Sequence, residues 1–454
     1  MFKTIKNAFK TPEVRKKIFL TLLLIVVFRL GCYIVVPGVD SAQLAEQLSK
    51  STNTLAGLVN TISGGAFSRL SIFAMSITPY ITSSIIIQLL AMIIPALEKL
   101  TKEGGEEGRD KINKYTKILT VILALVQGLG YYLTFSRNDV FINPGFLTGL
   151  IVVLSFMAGT SLLMWLGDQI TNKGIGNGIS VIIFVGIVAG LPDAVKEIWG
   201  MVFSQTFNTA NLILALAVIL GSIILIAGVV FVQQAERRVQ VQYSKKVVGR
   251  KMVGAQNTHI PLKLAMAGVM PIIFASSFMT FPAMIIGAFN SNIAAETGFL
   301  AGLYKLSAAT TTSIMQVVGP DGLVQSTYEL PIGYSIANAI IYLLLIVGFT
   351  FFYTYATFNP AEVSNNIKRN GGFIPGIRAG KPTTQYLSSI IGKITWFGGL
   401  FLAVIAILPM LLRFTDFNLA FGGTSILIVV GVALETVQQL ESQLVMRHYK
   451  GFLE

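Results

Sequence analysis

Apolar runs of roughly twenty residues, separated by short polar stretches, repeat along the whole chain. A helix rises 1.5 Å per residue, so about 20 apolar residues cross the hydrocarbon of a bilayer and each run predicts a span. Ten runs qualify: Ile18–Val36, Ile72–Ile94, Ile118–Phe135, Gly149–Leu166, Ile179–Leu191, Leu212–Val232, Leu264–Phe289, Ile332–Tyr353, Ile390–Leu412 and Ser425–Val437. The fifth and tenth are short and gain length from their neighbours. One region breaks the pattern. In "NTISGGAFSRLSIFAMSITPYITSSIIIQLLAMII", Asn60 to Ile94, the spanning part carries Ser76, Thr78, Thr82, Ser83, Ser84, Pro79 and Gln88. A lipid-facing helix needs none of these groups. Thr54 to Ser63 just before it is mildly apolar, too short to span, and set apart by Gly64-Gly65.

Composition agrees with the pattern. The 454 residues are 53% hydrophobic and 12% charged, with a mean hydropathy of +0.71, so the chain is an integral membrane protein. One cysteine, Cys32, excludes a disulfide framework and a cysteine-based zinc site, and two histidines, His259 and His448, leave little for metal chemistry. No cofactor is expected. The basic N-terminus followed by Ile18–Val36 has the outline of a secretory signal, but the run is too long and lacks a small-residue cleavage site. It reads as a retained first span.

Ten spans place both termini on one side, and Lys/Arg asymmetry says which. The N-tail, the 95–117, 167–178 and 233–263 loops, the 354–393 segment and the C-tail hold 27 of the 34 basic residues. Both termini are therefore expected in the cytoplasm. The net charge of +13 reflects this asymmetry, so nucleic acid is not the expected partner. Two cytoplasmic loops exceed a mere connection. In 233–263, "RRVQVQYSKKVVGRKMV" alternates Val239, Val241 and Tyr243 with polar residues and predicts a basic β-hairpin over 237–251. In the second, about 354–389, "NPAEVSNNIKRNGGFIPGIRAGKPTTQ" predicts a short amphipathic helix, then a tip punctuated by Gly and Pro.

Several chemistries find no residues. The spans offer no relay of acids and histidines for proton coupling, Glu435 being the one clear acid within a run. Metalloprotease, nucleotide-binding and serine-hydrolase signatures are missing. "GIGNGIS", Gly174 to Ser180, looks like a phosphate loop but lacks the lysine and preceding strand, and a tightly packed helix start explains it better. For Arg29 and Glu435, snorkelling at a span end and mutual pairing both fit the sequence.

Five blocks in order, "SGGAFSRLSIFAMSITPYITSSIIIQLL" (63–90), "LMWLGDQITNKGIGNGIS" (163–180), "AQNTHIPLKLAMAGVMPIIFASS" (255–277), "NNIKRNGGFIPGIRAGKPT" (365–383) and "FGGTSILIVV" (421–430), resemble the SecY family of protein-conducting channels over essentially the whole chain. The resemblance implies an all-α polytopic membrane protein of ten transmembrane helices in two inverted pseudo-symmetric halves, 1–200 and 201–454, with a short plug helix at about 54–68. It implies a pore ring of Ile77, Ile81, Ile179, Ile183, Ile273 and Ile428, branched aliphatics that seal by dewetting and yield to a passing chain. Without the resemblance, these six would be ordinary core residues.

The plug would comprise Leu58, Val59, Asn60 and Ile62, with Gly64 and Gly65 as its hinge. A lateral gate would lie between the second and seventh spans at Thr78, Thr82, Ser83, Gln88, Ser276, Ser277 and Thr280, their polar groups bonding weakly across the helix contact. Docking would fall on Arg237, Arg238, Lys245, Lys246, Arg250, Lys251, Arg369 and Arg378, the last presented by Pro375 and Gly376. The implied function is passage of unfolded secretory polypeptides across a bacterial plasma membrane and sideways release of transmembrane segments. The implied partners are SecE- and SecG-like small membrane subunits, the SecA motor ATPase or a ribosome, precursors with signal sequences, and membrane lipid. The competing readings are a ten-span secondary transporter and an intramembrane enzyme such as a lipid transferase; the spans supply neither the carboxylates nor the catalytic cluster these require.

Overall fold

The computed structural model describes all residues except 1–7, 41–43, 45–59, 61–62, 103, 137–139, 204–208, 244–245, 249–250, 254–256, 290–292, 294–297, 310–313, 319–323, 330, 413–422 and 451–454. Fourteen helices and seven strands are described. The helices are α1 (Pro12–Gly31), α2 (Thr78–Ile93), α3 (Pro95–Lys102), α4 (Gly105–Ser136), α5 (Phe146–Lys173), α6 (Gly178–Ala189), α7 (Leu191–Phe203), α8 (Thr209–Gln234), α9 (Met270–Phe289), α10 (Phe299–Ala308), α11 (Ile332–Thr357), α12 (Pro360–Arg369), α13 (Lys381–Leu412) and α14 (Gly423–Lys450). The strands are β1 (Glu236–Tyr243), β2 (Lys246–Val248), β3 (Lys251–Val253), β4 (Asn257–Lys263), β5 (Ile314–Val318), β6 (Val324–Glu329) and β7 (Gly372–Phe373).

Each of the ten expected spans coincides with one helix: α1, α2, α4, α5, α6, α8, α9, α11, α13 and α14. Six of them (α4, α5, α8, α11, α13 and α14) are by themselves long and apolar enough to cross a bilayer, and α6 and α9 are shorter apolar helices. Large apolar side chains stand exposed along α1 (Leu22, Leu23, Val26, Leu30) and α8 (Ile219, Leu220, Ile223, Ile224). In water such surface would be costly; in a bilayer it is the ordinary outside of the protein.

Boundaries shift where backbone chemistry overrules apolarity. Residues 72–77 form turns, and α2 begins only at Thr78, with Pro79 in the first turn, where a missing N–H leaves no bond unmade. At its far end Ile94 turns extended, as the residue before Pro95 prefers, and α3 leaves at 107° to α2. The seventh span likewise opens with turns at 264–269 and carries Pro282 inside its helix.

Contacts gather the loops onto two faces. On one, Val14 of α1, Ile175 of the 167–178 loop and Leu440 of α14 share a small core, Lys17 donates to Gln443 (3.3 Å), and Lys263 at the end of β4 donates to Gln438 (2.7 Å). On the other, the loops after α1 and α4 meet: Val39 bridges to Phe141, and the Asp40 N–H donates to the Val140 carbonyl (2.8 Å). Residues 24–182 supply two buried cores, built on Phe28, Phe73 and Leu163 and on Phe67, Met75 and Phe156; a third runs from Ile183 to Leu434.

The expected hairpin over 237–251 has a different partner. β1 pairs antiparallel with β4 (Val239 opposite Ile260, Val241 opposite Thr258), while β2 and β3 make a second hairpin nested between them. An alternating pattern fixes which face of a strand is buried but not which strand it joins. β1 also pairs through Gln242 and Tyr243 with β7, giving a three-stranded sheet in the order β4-β1-β7. The two long loops therefore form one body.

Candidate pore ring, gate and docking platform

The six isoleucines converge. Ile183 and Ile428 are buried in the core running from Ile183 to Leu434, and Ile81, Ile179 and Ile273 pack partly buried against it. Ile77 is buried in the neighbouring core with Phe28 and Leu166, against which Ile81 and Ile179 also pack. Residues from α2, α6, α9 and α14 thus meet where two cores touch. Three of the six, Ile81, Ile179 and Ile273, retain partial exposure, as a ring around a passage requires. The six isoleucines that meet there are aliphatic and offer an ion nothing to replace its hydration.

"GIGNGIS" is a helix start and not an anion site. Four of its N–H groups are already used: Ile175 donates to Thr21 Oγ1 (3.1 Å), Gly178 to Thr171 Oγ1 (2.8 Å), and Ile179 and Ser180 to the capping Asn177 side chain. The loop holds Ile179 and Ile183 at the junction.

The seam between α2 and α9 differs from expectation. α9 packs against α2 and α4. Yet every described polar bond of the candidate gate residues stays within its own half. Thr82 Oγ1 donates to the Thr78 carbonyl (3.1 Å) and Gln88 to Ser84 Oγ (3.1 Å); Ser276 donates to the Ile273 carbonyl (3.0 Å) and Thr280 to that of Ser276 (2.9 Å). Ser83, buried, donates to the Thr116 carbonyl of α4 (2.6 Å). For Thr78 and Ser277, both partly buried, no bond across the seam is described. Ser and Thr in helices satisfy themselves on the preceding turn, so hydroxyl content alone does not predict a bond between helices. Each gate helix is instead fastened to its own side. α9 carries Phe274 and Phe278, edge-on to Phe349 of α11 at 5.9 and 6.4 Å. In α2's half, Lys117 of α4 is paired with Asp168 of α5.

Of the expected plug residues, Leu58, Val59 and Ile62 lie outside the described residues; Asn60 is described, as is everything from Ser63 onward to Lys102. Gly64 is not a loose hinge. It adopts φ +65°, is buried, and a side-chain carbon there would come within 2.7 Å of Arg29 Nη1 and 3.0 Å of Gly186 Cα. Its glycine character serves close packing and a left-handed turn. Arg29 and Glu435 do not pair: Arg29 donates to the Gly64 carbonyl at 2.8 Å, and Glu435 is exposed on α14.

The platform has its own core. Val239, Val241 and Leu262 of the sheet pack with Ile367 of α12, Ile374, and Leu387, Ile391 and Ile394 of α13. Asn359 caps α12 through the Ala361 and Glu362 N–H groups. After α12 the chain turns at Gly371 (φ +71°) and Gly376 (φ +81°), and the Ile377 N–H closes onto the Ile374 carbonyl (3.0 Å). Arg378 stands exposed at this tip while its carbonyl accepts from Thr383 Oγ1 (2.9 Å). Ser364 fastens α12 to the Gly380 carbonyl (3.0 Å). Arg237, Arg238 and Arg369 are also exposed, with Arg238 paired to Glu236 (2.7 Å). Lys246 and Lys251 fall in the nested hairpin; Lys245 and Arg250 lie outside the described residues.

The SecY family model matches residues 71–437, most of the chain and all the elements just described from α2 onward into α14. The chain belongs to the SecY family. A protein translocase subunit SecY of Streptomyces scabiei is 42% identical over 468 residues, covering 100% of both chains. Among solved structures, a SecY protein whose plug domain is described as stabilising the closed state of the translocation channel aligns with TM-score 0.64 at 19% identity, over 94% of this chain and 91% of that one. Sec61 in a canine ribosome–channel complex aligns with TM-score 0.57 at 19% identity, over 94% and 91%. The fold is therefore that of the SecY family, a mostly helical, multi-pass membrane protein; Ile81, Ile179, Ile183, Ile273 and Ile428 lie on its helices and Ile77 in the turn before α2.

Proposed function

We propose that this SecY-family chain is the pore-forming subunit of a protein-conducting channel, passing unfolded secretory polypeptides across the membrane and releasing transmembrane segments sideways into lipid. The meeting of Ile81, Ile179, Ile183, Ile273 and Ile428 at one apolar junction carries the reading. An aliphatic ring excludes water and ions at rest, yet deforms around any extended side chain because it makes no directional bond. The segment around 54–68 acts as the plug. α2 and α9 part at their seam to admit an apolar signal sequence. Residues 1–200 and 201–454 are the two halves that move apart; two of the three cores lie wholly within the first.

The subunit is a passive pore. A SecA-type motor or a translating ribosome pushes from the cytoplasm, docking on the platform through Arg378, Arg369, Arg237, Arg238 and the basic nested hairpin; rRNA phosphates suit such a surface. The joined loops and the contacts among the N-segment, the 167–178 loop and α14 support a shared face for these basic segments, which the positive-inside rule assigns to the cytoplasm of a bacterial plasma membrane, with both termini inside. SecE- and SecG-like subunits and lipid cover the exposed aliphatic faces. The ten-span transporter finds no support in the family assignment.

The test is reconstitution with the small subunits, the motor, ATP and a secretory precursor. Protease protection of the precursor without any solute gradient is expected. Failure with every precursor alongside measurable solute flux would overturn the reading.

A further inference from the structure

The end of α1 away from the basic loops carries two cations around one aromatic ring. Arg69, exposed in the turn before Leu70, lies over the exposed Tyr33 ring at 4.2 Å, and Arg29 approaches the same ring at 5.8 Å. The two charges therefore lie within about 10 Å of each other and repel, more strongly in a low dielectric than in water. Among the described residues no carboxylate forms an ion pair with either. Arg29, half-buried, donates through Nη1 to the Gly64 carbonyl (2.8 Å). Depth sharpens the electrostatic problem. From Lys17 to Arg29 the helix rises about 18 Å, short of the roughly 30 Å of bilayer hydrocarbon, so the cluster stands inside the membrane, in the half remote from the basic loops. Leu23, Val26 and Leu30 of α1 stand exposed at helical spacing, with Ile34 just beyond, an apolar stripe that leads up to the two cations.

We infer that Arg69, Arg29 and Tyr33 form a headgroup site for an anionic phospholipid, whose phosphate oxygens accept from the two guanidiniums while an acyl chain lies along Leu30, Val26 and Leu23. A cation within a membrane needs an anion, and a guanidinium fork matches the oxygens of a phosphate. A glycerol headgroup carries no cation of its own to compete, so phosphatidylglycerol binds better than phosphatidylcholine. The stripe favours lipid over a carboxylate from a membrane-embedded partner, because it supplies a track for a chain beside the seat for a charge. Calling this leaflet the outer one rests on the orientation proposed above; the site itself does not.

The test titrates phosphatidylglycerol into the detergent-purified complex of this chain with its small subunits and counts bound lipid by native mass spectrometry. Arg69→Gln is expected to weaken binding of the most tightly held phosphatidylglycerol about tenfold, the worth of one charge-assisted hydrogen bond, with Arg69→Lys falling between. Lys196→Gln, which removes an exposed cation of α7 paired with Asp193, should leave that affinity unchanged. If Arg69→Gln fails to accumulate, Tyr33→Leu, which takes the ring from under the guanidinium, is read in its place with a smaller weakening of the same sign. An affinity unmoved by these changes, or equally high for phosphatidylcholine, would overturn the site. Displacement of the lipid by an equal concentration of inorganic phosphate would make it a site for free anions and overturn the lipid assignment. Binding to the chain alone that disappears once the small subunits are present would give the cluster to a partner's carboxylate, and would overturn it as well.

Discussion

The platform and the α2–α9 seam are built from similar residue types, aliphatics interleaved with Ser and Thr, and they use their polar groups in opposite ways. In the platform the bonds cross between elements: β1 ladders to β4 and β7, Ser364 reaches Gly380, and Thr383 holds the carbonyl of Arg378. At the seam they return to their own helix or half, as Thr82, Ser83, Ser276 and Thr280 do. A part that receives force must stay rigid; a part that yields must have no directional bond to break. The same side chains serve either end, and what decides is whether the acceptor lies across the contact.

The largest expected effect strikes the platform's exposed end. Arg378→Glu should cut motor-driven translocation by at least about tenfold, since a like charge set against a docked acidic partner costs several kcal/mol, while leaving the amount of protein in the membrane unchanged. Precursor protection assays and quantitative membrane immunoblots check both. Near-normal transport would sink the docking role. Next, Ile391→Ala empties a site of 0% exposure in the platform core and should destabilise that body by about 2–5 kcal/mol, seen as faster proteolysis of the 233–263 loop than in the unaltered protein. If the loop stays resistant, the platform is not held by that core. The smallest effects distinguish bonds within a half from bonds across a contact. Ser83→Ala removes a buried bond to α4 and should cost about 1 kcal/mol of detergent-measured stability; Thr280→Val, whose hydroxyl serves only its own helix, should cost less than about 0.5 kcal/mol. Equal and larger losses would mean that Thr280 does bond across the seam.

How much of this was legible follows from which interactions leave a trace in sequence. The ten spans were, because about twenty apolar residues cannot be hidden. Their starts were not, where Pro79 and the left-handed Ser76 delay α2 by six residues relative to the apolar run beginning at Ile72. The convergence of the six isoleucines was legible only through family pattern, since isoleucine occurs in every span. The pairing of β1 with β7 joins loops more than a hundred residues apart, and no local alternation encodes that. The seam misled because Ser and Thr look alike whether they bond within a helix or beyond it. Arg29 stayed unplaced because its partner is a carbonyl, a group every residue carries.

The most direct test is a pair of distances. Spin labels at Gln88 of α2 and Phe278 of α9 report the seam, and labels at Gln240 of β1 and Phe373 of β7 report the platform. With an arrested precursor in the reconstituted channel, the first distance should lengthen beyond its resting distribution while the second stays put. A fixed first distance during active transport, or a change confined to the second, would contradict the account.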